Sequence, residues 1–316
     1  MGKIAPGSVS ADYQATTRRL PGNYQTTIRT TLHTPINYQV FPSLPKLSPL
    51  VMHIMTVELD GCEAFLPATL CPAIMLFARG GGVVVQADQA ELVAERFFLR
   101  GPFMEPMHVR YKPRTLALSV CFRPGMLQQA MGINVAGIAG NVLPFHELVS
   151  AKRVQAFLQA LDDIQDISAI VALFQEFLLE VLDHKPRSSM GAAFLAAHKK
   201  IFFPLLELSD YFGIGQRQLE RRVRENFGVT LRDVRRIVRF GFSLPHIIRP
   251  DVAWGDLTQI AQDTGYYDQA HMHREYVELA GIPPAQLRQK ISARDPAYWI
   301  YLMPDDDFNK LFLLID

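Results

Sequence analysis

Cysteine is scarce in this 316-residue chain, neither sign of charge is in excess, and long apolar runs are missing. Cys62, Cys71 and Cys121 are an odd number without a C-x-x-C pair, which argues against a disulfide framework and a structural zinc site and points to a reducing cytoplasm. Lys plus Arg is 32 against 31 for Asp plus Glu, so a net charge of +1 gives no global pull toward nucleic acid or membrane. Any polyanion site must be local. Apolar stretches such as 201–206 and 311–315 fall far short of the roughly 18 to 20 residues that span a bilayer, so no membrane helix is expected. The first residues lack the apolar core of a secretory signal, and Pro6 stands where myristoylation wants Ser or Thr, so export is not expected. Gly80-Gly81-Gly82 has no following Lys-Ser or Lys-Thr and reads as a hairpin turn rather than a phosphate loop. His53, His108 and His146 are scattered without metal-ligand spacing and read as satisfied structural histidines. No nucleophile, acid–base pair or cofactor loop stands out, so catalysis, cofactor and metal are all expected to be absent.

What is present is material for packed cores: 49% hydrophobic and 20% charged residues exclude a mainly disordered chain, and the length suits two domains. Residues 1–45, with five prolines and many small polar residues, read as a flexible arm. Short apolar runs follow at 51–57, 74–77, 83–86, 97–99, 109–111 and 116–122, separated by turn residues, which predicts a small antiparallel β-barrel or sandwich. From 148 to 183 the apolar period becomes helical, giving two helices. A Pro- and Ser-containing stretch at 184–191 reads as the linker. The expected organisation is a β-rich sensor or dimerisation domain at 46–185, an all-α domain at 192–292, and an apolar tail at 293–316 that folds back onto one of them. The fold class is thus α+β multidomain.

The all-α half repeats one plan, a short helix, a turn, then a helix whose outer face is rich in hydrogen-bond donors. In the second copy Asp256 is placed to cap a helix over Leu257–Asp263 with Gln259 as its capping-box partner, Gly265 suits the corner, and Asp268 caps a helix from Gln269 to about Leu279. In the first copy Gln216–Asn226 turns Leu219 and Val223 inward and Arg217, Glu220, Arg221 and Arg224 outward. A linking helix from Leu231 to about Leu244 joins the copies. From Ile214 to Arg249 nine Arg stand against Glu220, Glu225 and Asp233, which is 9 − 3 = +6 in a nearly neutral chain. Arginine is suited to bidentate contacts with phosphate and guanine. His271 and His273, two apart on a helix, point about 200° from each other and do not make a helical chelate; His271 reads as packing within its unit.

These residues resemble the AraC/XylS-type bacterial transcription regulators. The match covers 192–290 and is tightest at Ile260-Ala261, the run from Gly265 to His271, Arg274-Glu275-Tyr276, Gly281 and Pro284, with Leu208, Leu219, Arg221, Gly228 and Arg239 at signature places of the first unit and linking helix. Ser209, Gly215, Val223 and Leu231 depart from the usual residues of the first unit. More faintly, Arg100-Gly101-Pro102 and Phe122-Arg123-Pro124-Gly125 look like the β-rich domain that precedes some of these regulators.

The resemblance implies a sequence-specific regulator of transcription that reads two successive major grooves of double-stranded DNA. The expected regulator is a cytoplasmic homodimer that contacts RNA polymerase and is open to control by an unidentified small-molecule effector. From recognition-helix geometry, Arg217, Glu220, Arg221, Gln269 and His273, with Ala270 beside them, are the expected base readers, and Arg224 and Arg274 the phosphate contacts. The rival reading is a small-molecule-binding or enzymatic β-barrel to which the DNA-binding half is accessory, and a further one drops the ligand and leaves a pure dimerisation module.

Overall fold

A computed structural model describes residues 27–29, 36–86, 88–183, 191, 193–194, 197–248 and 256–303. The first half is built on β1 (Thr27–Arg29), β2 (Ile36–Phe41), β3 (Val51–Leu59), β4 (Glu63–Leu66), β5 (Ala73–Arg79), β6 (Gly82–Val85), β7 (Glu91–Val93), β8 (Phe97–Arg100), β9 (Met107–Tyr111), β10 (Thr115–Phe122) and β11 (Val142–Pro144). They form a seven-stranded sheet in the order β1-β2-β3-β10-β5-β8-β11 and a four-stranded sheet in the order β4-β9-β6-β7, all pairs antiparallel. All six apolar runs read from the sequence coincide with strands, with Gln86 one residue past the end of β6.

Side-chain alternation divides the large sheet into two cores. Met55, Val57, Leu59, Phe77 and Ala117 face the small sheet, where the rings of Phe77 and Tyr111 lie 6.4 Å apart. Ile54, Ile74, Leu76, Leu118 and Val120 face the other way and are covered by helices. Being covered on both faces, β3 and β10 are buried almost throughout, which is why their sequence reads as unbroken apolar runs. The covering helices are α1 (Met126–Met131), α2 (Val135–Ile138), α3 (Phe145–Leu148), α4 (Ala151–Asp162) and α5 (Ile167–Val181). Phe97 stacks on Phe145 at 4.2 Å, and Phe157 on Phe177 at 4.4 Å, so aromatic rings from the sheet, α3, α4 and α5 form one cluster. Each fully buried ring of this kind contributes about 1.5–3 kcal/mol.

Two expectations are corrected. The segment 1–45 is not wholly an arm: β2 pairs along β3, and Ile36, Tyr38 and Phe41 are buried. The alternation of Ile36, Tyr38 and Val40 outweighs the proline-rich composition around it. Gly80–Gly82 is not a hairpin turn either, because β5 belongs to the large sheet and β6 to the small one, so the glycines carry the chain across the core. A Cβ at Gly80 would stand 2.7 Å from the Cα of Thr115, whose hydroxyl donates to the Gly81 carbonyl at 3.0 Å. Of the expected linker at 184–191, only residue 191 lies within the described residues.

The second half consists of a 3-10 turn at His198–Phe202, then α6 (Leu205–Phe212), α7 (Gln216–Phe227), α8 (Leu231–Ile248), α9 (Asp256–Asp263), α10 (Gln269–Ala280) and α11 (Pro284–Ser292), followed by a 3-10 strap at Pro296–Leu302. The halves are docked. The Ala68 amide donates to the Leu279 carbonyl at 2.7 Å, Gly125 to Asn226 at 3.2 Å, and the strap packs on β4 through a 5.1 Å stack of Tyr298 on Phe65. The tail thus folds back onto the β-rich half, as far as residue 303. Among the described residues no helix is long and apolar enough to cross a membrane.

Candidate nucleic-acid interface

α6 and α7 form the first helix-turn-helix unit. Leu208, Leu219, Val223 and Phe227 close its core, and Gly213, in the left-handed region, ends α6. Ser209, inside this core, is satisfied by donating to the Leu206 carbonyl at 2.7 Å. Gly215 takes the extended N-cap conformation without offering a side-chain acceptor, which costs only tenths of a kcal/mol relative to Ser. The first unit is therefore fully formed despite its unusual residues. Arg217, Glu220, Arg221 and Arg224 recur at helical spacing on the outer face of α7, and all four are exposed. Arg221 pairs with Glu225 at 2.7 Å.

α9 and α10 form the second unit. Leu257, Ile260 and Ala261 are buried, Gly265 turns the corner at a φ of +85°, and Asp268 caps α10 by accepting from the His271 amide at 2.7 Å. On α9, Gln259 donates its Nε2 to Asp263 at 2.8 Å; the expected capping box with Asp256 involves a side chain outside the described residues. Gln269, Ala270, His273 and Arg274 are exposed on α10, and Gln269 accepts from the Thr258 hydroxyl at 3.1 Å. His271 is held within the unit: its Nδ1 accepts from the Tyr267 amide at 3.3 Å, and its Nε2 lies 3.4 Å from Glu275.

The linking helix α8 is fastened to the second unit by a cluster not singled out from the sequence. Glu275, on the inward face of α10 and only 5% exposed, receives Arg239 at 3.0 and 3.2 Å and has Arg236 at 3.4 Å. Arg239 also donates to the Gly265 carbonyl at 3.1 Å and lies over the Tyr266 ring, while Arg236 reaches Glu278. Next to this cluster Ser243 and Tyr276 share a hydrogen bond of 2.7 Å. The signal was present: Glu275 is a lone acid in the inward register of Met272, Tyr276 and Leu279, and an inward acid requires a cation, here two arginines three apart on α8. Arg235 is likewise used internally, donating to the carbonyls of Ile201 and Phe203. Of the nine arginines of this window, Arg235, Arg236 and Arg239 are structural, Arg217, Arg221, Arg222 and Arg224 carry outward charge on α7, Arg232 is exposed on α8, and Arg249 lies outside the described residues.

The expected readers thus lie on two exposed faces, four on α7 and the rest on α10, with α8 between them as a buttressed spacer. Residues 208–290 match the family model described as a helix-turn-helix domain. No curated protein matches the chain. Among solved structures it is similar to ToxT from Vibrio cholerae, at 9% identity and a TM-score of 0.44 over 81% of this chain and 98% of that one. It is also similar to unsaturated fatty acid-bound ToxT from Vibrio cholerae strain SCE256, at 9% identity and a TM-score of 0.39 over 82% and 96% of the two chains. A third is the AraC-like transcriptional activator CuxR, at 14% identity and a TM-score of 0.29 over 67% and 84%. On the family match and on its two formed units, residues 208–290 are a helix-turn-helix domain, a DNA-binding fold.

Proposed function

We propose that one chain reads two successive major grooves, with α7 in one and α10 in the next. The observation that carries this reading is the buttressing of α8: the Glu275–Arg239–Arg236 cluster and the Ser243–Tyr276 bond fix the second unit on the spacer helix, so the two exposed faces are presented as one rigid reader. Arg217 and Arg221 suit guanine, Gln269 adenine, and Glu220 can accept from cytosine, with His273 beside Gln269 on the groove face. The exposed Arg221–Glu225 pair is worth only about 0.3–0.5 kcal/mol and is readily exchanged for DNA. Arg224 and Arg274 suit phosphates, which set position rather than sequence. Selection of bound sequences from a random duplex pool tests this. Two conserved blocks about one helical turn apart, roughly 34 Å, with affinity falling steeply with salt, are expected; a single block refutes two-groove reading.

The β-rich half, which takes in β2 and runs to about 185, acts in this reading as the controlling domain of a cytoplasmic homodimer that addresses RNA polymerase, and the helical half over 192–292 as the reader. Its contacts with the C-terminal ends of α7 and α10, at Asn226 and Leu279, support control through domain docking. The cavity bounded by the large sheet, the 66–71 connection and Trp299 and Ile300 of the strap is about 100 Å³, well below the 300–1,000 Å³ of drug-sized sites, which narrows the effector to a compact molecule.

A further inference from the structure

The pairing of β3 with β10 ends in a bulge that gathers sulfur. Cys121 stands opposite His53 and Phe122 opposite Val51, so Met52 is an extra residue on its strand, set beside His53. The Met52 Sδ lies 3.8 Å from the Sγ of Cys71, which comes in from the 66–71 connection just ahead of β5. β5 begins at Ala73, which pairs with Cys121 from the other side of β10, and the two thiols stand within electrostatic reach of each other. His53, Cys71 and Cys121 line one cavity of about 100 Å³, with the thioethers of Met55 and Met75 in the same wall. Both cysteines are free thiols.

The polar groups around this cavity lack partners. His53 is 4% exposed with neither ring nitrogen hydrogen-bonded, and Ser119 Oγ, Arg100 Nε and Trp299 Nε1 are likewise buried without a partner among the described residues. Such groups are rare in folded proteins, and here four of them line one cavity. Arg100 is within electrostatic reach of both thiols, and no Asp or Glu lines the cavity to balance its charge. A guanidinium in that position calls for an anion, and the indole and hydroxyl beside it can donate to one.

Two neutral thiols do not supply that anion, but two thiolates joined by a monovalent cation do. A cuprous ion displaces one proton from each thiol, both protons pass to solvent, and the resulting bis-thiolate complex carries a single negative charge, the complement of Arg100. Thiolate and thioether sulfur select Cu(I) over harder cations, and a neutral imidazole can join them. Among the described residues no three His, Cys, Asp or Glu side chains are gathered closely enough to hold an ion, which argues against tetrahedral zinc and for a metal content with two thiolates. We propose that Cys71 and Cys121 bind one Cu(I) ion, with Met52 and His53 as supporting ligands and Arg100 balancing the charge of the complex. The ligands come from β3, β10 and the 66–71 connection, so their spacing along the chain forms no metal motif. Binding at this site does not depend on whether the β-rich half controls DNA binding.

The test uses the full chain, reduced and metal-free, under anaerobic conditions, with Cu(I) supplied as its bicinchoninate complex. One Cu(I) per chain should transfer to the protein, and X-ray absorption at the copper edge should show a first shell dominated by sulfur. Cys71→Ala and Cys121→Ala should each weaken retention at least about a hundredfold, and Met52→Leu, His53→Gln and Arg100→Met about tenfold, with part of the last loss restored by Arg100→Lys. Cys62→Ala, outside the cavity, should leave retention unchanged. Where a variant fails to fold, the copper shell of the parent chain decides. No transfer from the chelator, a shell of nitrogen and oxygen, or retention by Cys121→Ala equal to the parent's overturns the site, as does a loss confined to Cys62→Ala. Zn(II) held as tightly as Cu(I) overturns the choice of metal.

Discussion

Glu275 faces a cationic surround that its neighbours cannot abandon: Arg239 and Arg236 have side chains only 15% and 19% exposed, and both point at its carboxylate. Glu275→Gln keeps the shape and some hydrogen bonds but takes from Arg239 its paired carboxylate, while Arg236 keeps Glu278. A loss of about 3 kcal/mol in urea unfolding is expected, with the second unit loosening from α8. A loss under about 1 kcal/mol would show that water screens the cluster. His53 presents the opposite problem, a buried titratable ring with no hydrogen-bond partner among the described residues, so it is not the satisfied histidine expected from the sequence. Burial lowers its pKa from 6.5 to about 4, so the folded state binds fewer protons than the unfolded state between those values. Its contribution to stability is therefore complete above about pH 6.5 and is lost progressively as pH falls toward 4, with a total on the order of 3 kcal/mol. Unfolding free energies across that range should fall more steeply for the parent chain than for His53→Gln, and parallel curves would contradict the assignment. The thiols titrate away from reactivity: burial raises Cys71, and it raises Cys121 to about 11.

At the level of elements, the sequence was most legible where a local chemical rule decides. Asp268, Gly265 and Gly228 mark ends and corners by their own conformational preferences, and all three do so in the structure. Strands covered on both sides were legible as apolar runs. The short edge strands were not, because β4, β7 and β11 are only three or four residues long and have little inward register to display, while β2 is masked by surrounding prolines. The outward residues of α7 and α10 could be listed from helical period alone, but the partition of the arginines could not, since Arg236 and Arg239 differ from Arg217 only in what lies opposite them. Two groups of substitutions test the recognition helices. Arg217→Ala and Gln269→Ala should alter preference at particular base pairs by about 1–3 kcal/mol, whereas Arg224→Ala and Arg274→Ala should weaken every sequence alike and reduce the salt slope by about one. Uniform loss in all four variants would mean that the base and phosphate assignments are wrong.

Across the whole molecule, the linear order of domains hid the docking of the helical half on the β-rich half, on which the proposed control of DNA binding rests. Neither the Ala68–Leu279 bond nor the placement of Trp299 in the cavity wall follows from period or composition, because each depends on how two separately formed cores meet. Two glycines isolate this docking experimentally. Gly213 and Gly228 both end helices of the first unit in the left-handed region, at φ of +63° and +75°, so alanine at either bears a similar backbone strain of about 1 kcal/mol. Their surroundings differ. Nothing lies within 4 Å of a Cβ at Gly213, whereas one at Gly228 would stand 2.8 Å from the carbonyl oxygen of Val135 on α2 and 3.1 Å from the ring of Pro102. Gly228→Ala must therefore either push the end of α7 off the β-rich half or accept a clash with backbone, and it should cost at least about 1 kcal/mol more than Gly213→Ala in chemical unfolding. The same excess should appear as faster proteolysis between the halves and as altered DNA affinity. Equal costs for the two substitutions would mean that α7 is not held against α2, and control of the reader would then have to pass through α10 and the strap alone.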